Sequence, residues 1–119
     1  MTRVLVVEDD DLIRESLVDL LAHKGFGVTG AANGADALVA LANGPPPSVI
    51  LLDLMMPVMD GLAFRQAQLR DPAIKDIPVI ILSANRELAE VARDLSPADY
   101  LLKPVRLGDL LKVVERVTA

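Results

Sequence analysis

Three short aliphatic runs, Val4-Leu5-Val6-Val7, Val49-Ile50-Leu51-Leu52 and Val79-Ile80-Ile81-Leu82, limit what this chain can fold into more than any other feature. They are continuous rather than alternating, and most of their residues are β-branched. Such runs suit strands covered on both faces, which is the habit of a parallel sheet. Tyr100-Leu101-Leu102 is a shorter run of the same kind. Phe26 to Ala31 is weaker, with Gly27 and Gly30 inside it, and reads as an edge strand.

Helical patterns separate the strands. Ile13, Leu17, Leu20 and Leu21 are spaced to share one helix face, as are Leu88, Val91, Ala92 and Leu95. Leu107, Leu110, Leu111, Val114 and Val117 form the clearest such stripe, mostly core-facing, with an outer rim that can serve a partner. Ala35, Leu38, Leu41 and Ala42 predict a small-residue helix that starts near Asn33. A further helix is predicted from Gly61 to Leu69, bounded by Asp71-Pro72. Five strands alternating with five helices predict an α/β fold, a five-stranded parallel sheet with helices on both faces. Pro45-Pro46-Pro47 predicts a stiff loop before the third strand.

With 119 residues the chain fits one domain, residues 1–119. Its core must be aliphatic, because there is no Trp, one Tyr and two Phe. The same scarcity argues against aromatic platforms for single-stranded nucleic acid. Twelve basic against seventeen acidic residues give a net charge of −5, so direct nucleic-acid binding is not expected. The absence of cysteine removes disulfides and thiolate metal sites and suits the cytoplasm. The N-terminus shows no signal-peptide pattern, and no apolar run approaches the ~20 residues that span a bilayer. A soluble domain without a membrane role is expected.

In an open α/β sheet, ligands bind at the carboxyl ends of the strands. The first strand ends in Glu8-Asp9-Asp10, the third in Asp53, the fourth in Ser83 and the fifth in Lys103-Pro104. Carboxylates about 4 Å apart repel by roughly 4 kcal/mol per pair at an effective dielectric near 20. Something positive must therefore join them. A compact set of hard oxygens suits Mg²⁺, which keeps several waters and accepts phosphate as a partner. Lys103 adds a second positive charge, and the Ser83 hydroxyl can donate to a phosphoryl oxygen. A nucleophilic Asp, a metal, a lysine and a hydroxyl are the parts of phosphoryl transfer.

Five segments carry a family resemblance: Val4-Leu5-Val6-Val7-Glu8-Asp9, Leu51-Leu52-Asp53-Leu54-Met55-Met56-Pro57, Met59-Asp60-Gly61, Ser83-Ala84 and Tyr100-Leu101-Leu102-Lys103-Pro104. In order and spacing the chain resembles the response regulator receiver domains of two-component systems, typified by the bacterial chemotaxis regulator, over nearly its whole length. The resemblance implies strand order 2-1-3-4-5. It implies that Asp53 is the phospho-acceptor, with Asp9 as direct metal ligand, Glu8 acting through metal-bound water and the Met55 carbonyl completing the site for Mg²⁺ or Mn²⁺. Ser83 and Lys103 would contact the phosphoryl group, and Ser83 and Tyr100 would be the switch residues. The Lys103–Pro104 bond would be cis. The implied partners are a sensor histidine kinase or histidine phosphotransfer protein and a downstream effector, and a phosphorylation-dependent homodimer is allowed. The mechanism implied has a phosphohistidine donor docking beside the first helix, with the face of the fourth helix, fifth strand and fifth helix changing afterwards.

The chain departs from the family pattern at several points. Ser83 to Lys103 is two residues shorter than the common spacing, and Ser96-Pro97-Ala98 stands where Gly-Ala is usual. A short or bent fourth helix is expected. Val105 replaces a frequent Phe, and the apolar Met55 beside the acceptor suggests slow self-dephosphorylation. With no effector domain after Ala119, the chain is expected to be a stand-alone regulator or a piece of a longer protein.

Other motifs carry less. Asp10 is better read as a helix N-cap than as a ligand. Gly25-Phe26-Gly27-Val28-Thr29-Gly30 spells a dinucleotide fingerprint, but a helix ends at Lys24 where the fingerprint needs a strand, and Gly25 fits a helix C′ position. His23, in the last turn of the first helix, suits the helix dipole rather than phosphoryl transfer. Two competing functions remain. One is a pseudo-receiver that binds partners without being phosphorylated. The other is an Asp-nucleophile, Mg²⁺-dependent phosphatase of the haloacid dehalogenase type, which needs an acid where Met55 stands.

Overall fold

The computed structural model describes residues 2–56 and 58–119, so Met1 and the Pro57 of the quoted motif lie outside the described residues. Strands and helices alternate from end to end: β1 (Arg3–Val7), α1 (Asp11–His23), β2 (Gly27–Ala31), α2 (Gly34–Asn43), β3 (Val49–Asp53), α3 (Gly61–Arg70), β4 (Val79–Ser83), α4 (Arg86–Arg93), β5 (Asp99–Leu102) and α5 (Leu107–Thr118). The five strands form one parallel sheet in the order β2-β1-β3-β4-β5. The glycine-containing β2 is one edge strand and β5 is the other.

The period of two along each strand divides the core. Val4 and Val6, Val49 and Leu51, and Ile80 and Leu82 face Leu21 of α1 and Leu110 and Val114 of α5. Leu5 and Val7, Ile50 and Leu52, and Val79 and Ile81 face Ala37 and Leu41 of α2, Phe64 of α3 and Ala92 of α4. Both faces of β3 and β4 are therefore apolar, which is why their sequences run without alternation.

Short polar residues start four of the helices. Asp10, Asn33, Asp60 and Asn85 occupy the N-cap positions of α1 to α4, and each side chain accepts a hydrogen bond from an amide three residues on. Gly25 follows α1 at φ 97°, in the left-handed region that a C′ glycine supplies without strain. Gly27 and Gly30 of the apparent dinucleotide fingerprint lie within β2.

Two helix faces differ from the sequence expectation. In α1, Leu17, Val18 and Leu21 pack inward, while Ile13 and Leu20 are exposed. In α4, Ala89 and Ala92 are buried with Leu88 packed beside them, while Val91 is 55% exposed. Paired apolar residues at Leu12-Ile13 and Leu20-Leu21 leave the helical phase open, and the sheet selects one phase. The fourth helix is the shortest, eight residues, and the turn after it places Ser96 at φ 52°.

Candidate functional site

The same alternation that builds the core aims the polar residues beyond it. Glu8 continues the phase of Val4 and Val6, Asp53 that of Val49 and Leu51, and Lys103 that of Leu101, so all three point to the α1/α5 side of the rim. Ser83 and Tyr100 continue the opposite phase, toward α4. Carboxylate oxygens of Glu8, Asp9 and Asp53 lie within 4.8 Å of one another. Lys103 Nζ is 3.1 Å from Glu8 Oε2 and 3.5 Å from Asp53 Oδ2. Glu8 and Asp53 are buried and Asp9 is exposed, so the cluster opens to solvent on the Asp9 side.

Burial pushes the Glu8 carboxyl up from its ordinary value; the hydrogen bond from Lys103 opposes this and the charge of Asp53 adds to it. For Lys103, burial works against the ammonium, but the hydrogen bond to Glu8 and the charges of Asp53 and Glu8 outweigh it, and its pKa is raised. The lysine is therefore held charged, while one carboxylate is held at a cost. Because the folded pKa of Glu8 lies above the unfolded one, the protonated form favours folding. That contribution is present below about pH 4.5 and is lost as pH rises through the raised value. In EDTA, the urea midpoint of the native chain is expected to fall across that window. Glu8→Gln is expected to flatten the fall, and an equal slope in both proteins would refute it.

Neighbouring groups brace the cluster. Arg14 of α1 donates to the Glu8 carbonyl at 2.8 Å and pairs with Asp11, holding the β1–α1 turn that carries the acids. The Asp10 side chain caps α1 through the Ile13 amide at 3.1 Å. The Met55 amide points at Asp53 Oδ1 at 3.4 Å, and the Met55 side chain is 59% exposed beside the cluster. Gly34 and Gly61 allow close backbone approach around this loop; a Cβ on Gly61 would lie 2.4 Å from the Asp53 carbonyl oxygen.

The hydroxyl of Ser83 engages its own turn, donating to the Asn85 carbonyl at 2.9 Å and accepting from the Asn85 amide at 3.0 Å. Tyr100 is half-buried beneath Arg93, whose guanidinium lies 4.7 Å from the ring centroid and also donates to the phenol oxygen. Any change in the Tyr100 rotamer must break that stack. The Lys103–Pro104 peptide is cis. His23 sits in the last turn of α1, at the opposite end of that helix from the Asp10 cap. Arg14 and Arg93 were not singled out in the sequence, where lone arginines on helices read as solvated charge.

A cavity of about 430 Å³ opens beside the cluster, lined by Asp9, Met55, Met56, Asp60, Leu62 and Leu88 among others. The donor set is oxygen only, which fits a hard divalent cation and excludes a thiolate or imidazole centre.

Comparison with known proteins gives a consistent picture. The family model for the response regulator receiver domain matches residues 4–115. The transcriptional regulatory protein PdtaR of Mycobacterium tuberculosis is 34% identical over 113 residues, covering 95% of this chain and 55% of that protein. The response regulator MprA of a Mycobacterium species is 41% identical over 111 residues, covering 92% and 47% respectively. The chain thus spans about half the length of the curated relatives it matches. Among solved structures, the chemotaxis response regulator CheY4 of Vibrio cholerae superposes with a TM-score of 0.89 at 31% identity, covering 98% of both chains. The response regulator TrrA of Thermotoga maritima, solved in complex with Mg(2+)-BeF, gives 0.87 at 28% identity over 98% of this chain and 99% of that one.

Proposed function

Since the chain belongs to the response regulator receiver family, we propose that it is a phospho-acceptor switch in which Asp53 takes a phosphoryl group from a phosphohistidine donor. The observation that carries this is the placement of Lys103 Nζ between Glu8 and Asp53, with Asp9 beside them on the open side. Glu8, Asp9 and Asp53 form an oxygen cluster suited to Mg²⁺ or Mn²⁺, with Asp9 and Asp53 as direct ligands, Glu8 acting through water and the Met55 carbonyl completing the set. When bound, the cation would neutralise carboxylate and phosphoryl charge.

A carboxylate oxygen of Asp53 forms the new P–O bond as the P–N bond of the donor imidazole breaks, and the imidazole nitrogen keeps the electron pair and takes up a proton. Lys103 then shifts its charge from Glu8 toward the new phosphoryl oxygens. Ser83 exchanges its bonds within the Asn85 turn for a phosphoryl oxygen, which loosens the start of α4. Once the Arg93 stack on Tyr100 breaks and the ring turns, the surface of α4, β5 and α5 changes. The exposed apolar residues Leu12 and Ile13 of α1, next to Asp9, suit docking of a histidine kinase or phosphotransfer protein. No helix of the described residues is long and apolar enough to cross a membrane. The protein catalyses only its own phosphorylation and dephosphorylation in this reading, and Met55 beside the acceptor favours slow loss of the phosphate.

Incubation with acetyl phosphate and Mg²⁺ is expected to add one phosphoryl mass to the native chain and none to Asp53→Asn. Undiminished addition to Asp53→Asn, or none to the native chain, overturns the assignment.

A further inference from the structure

The inner face of α3 buries two polar side chains that the acidic cluster does not use. Arg65 is 5% exposed and Gln68 is fully buried. Among the described residues, Arg65 faces no carboxylate. Its Nε donates to the Leu95 carbonyl at 3.1 Å, Nη2 to the Ser96 carbonyl at 3.0 Å and Nη1 to Gln68 Oε1 at 2.7 Å. The Gln68 amide in turn donates to the carbonyls of Ile74 at 2.9 Å and Ile77 at 3.0 Å. An apolar pair would fill this site without the desolvation that a guanidinium suffers, and burial does pull the Arg65 pKa down. The arginine fork provides direction: it fixes two successive carbonyls just past the C-terminus of α4, where the helix dipole is negative.

The rest of α4 is lightly held. Its buried residues are Ala89 and Ala92, which offer little area to the sheet. Its N-terminal end depends on the Asn85 cap of the Leu88 amide and on the Ser83 hydroxyl, which bonds the Asn85 backbone and can rotate. One end of α4 therefore hangs on a movable group beside the acidic cluster. The other end is tied by a buried network that spans α3, the turn before β4 and the turn before β5.

We propose that Arg65 and Gln68 are a fixed anchor for the C-terminal turn of α4, so that α4 swings about residues 94–97 and the movement is concentrated at its Asn85 end. The swing rests on the phospho-acceptor reading above; the anchor itself does not.

Amide hydrogen exchange on the whole chain, with and without Mg²⁺ and beryllofluoride, tests both parts, with binding followed by fluorine NMR. In the native chain the additive is expected to change exchange at residues 85–89 by about fivefold or more and to leave the amides of 94–96, which bond back to Val91, Ala92 and Arg93, within about twofold. Without additive, Arg65→Met is expected to raise exchange at 94–96 by about tenfold while β1 and β3 stay protected. Gln68→Met, which leaves both carbonyl bonds of Arg65 in place, is expected to raise it by about threefold. Equal responses at 85–89 and 94–96 in the native chain refute the swing. Unchanged exchange at 94–96 in Arg65→Met, or in Gln68→Met should the first variant not fold, refutes the anchor. Failure of the native chain to bind beryllofluoride refutes the phospho-acceptor reading, and the additive-free comparison still decides the anchor.

Discussion

Gly61→Ala is expected to lower the unfolding free energy by about 3 kcal/mol, at the upper end of what overpacking costs. Gly61 opens α3 directly after its Asp60 cap, and its amide donates to the Leu54 carbonyl at 3.0 Å. An added Cβ would lie 2.4 Å from the Asp53 carbonyl oxygen and 2.7 Å from Leu54 Cα, so the end of β3 must move. These neighbours are backbone and cannot rotate away. The melting temperature should drop by roughly 10 °C or more, and the cation dependence of that temperature should weaken as Asp53 is displaced. Gly108→Ala is the matched control. Gly108 lies in the first turn of α5 with nothing within 4 Å of a built Cβ, and alanine there should stabilise by about 0.5–1 kcal/mol. A Gly61→Ala melt within a degree of the native one would contradict the close approach.

Lys103→Met is expected to cost about 2 kcal/mol of stability in EDTA at pH 7, below the full cost of breaking a buried pair because the lysine side chain is 23% exposed. Glu8 and Asp53 would then face each other and Asp9 without a cation. Addition of Mg²⁺ should offset the loss in full, by about 2.7 kcal/mol at a hundred times the dissociation constant. Glu8→Gln should likewise blunt the effect, giving a coupling of roughly 1–2 kcal/mol in a double-mutant cycle of urea midpoints. Phosphoryl addition from acetyl phosphate should slow by about a hundredfold or more, as expected when a charge aimed at the transferring group is removed. Strictly additive midpoints for Lys103 and Glu8 would show that the pair does not interact as its 3.1 Å separation implies.

How far the sequence determines this structure depends on the element. β1, β3 and β4 are legible because a strand covered on both faces must be apolar throughout, and continuous runs such as Val79-Ile80-Ile81-Leu82 leave no second interpretation. The meeting of Glu8, Asp9, Asp53 and Lys103 follows from the same logic, since parallel strands bring their carboxyl ends to one rim. Helix phase was less legible. Ile13 and Leu20 of α1 and Val91 of α4 are apolar yet exposed, while two alanines do the packing under α4. Arg65 and Gln68 were not legible at all, because charged and amide side chains on a helix normally signal solvent, and only their acceptors, thirty or so positions away for Arg65, reveal burial. The division of rim residues between the two faces was available from the period of two, had it been carried past the strand ends to separate Ser83 from Asp53.

Strand pairing aligns Val7 with Leu52, Asp53 with Leu82 and Ser83 with Leu102. Sliding β3 by a single position would turn Asp53 to the opposite side of the sheet, away from Glu8 and Lys103. The segment that meters this alignment is the Pro45–Pro47 connection, pinned at its far end by the Ser48 amide on the Arg3 carbonyl at 2.8 Å. A loop at the opposite ends of the strands from the acidic cluster thus acts as a length gauge for the acceptor, and adding or deleting one residue there is a way to silence Asp53 without touching the rim.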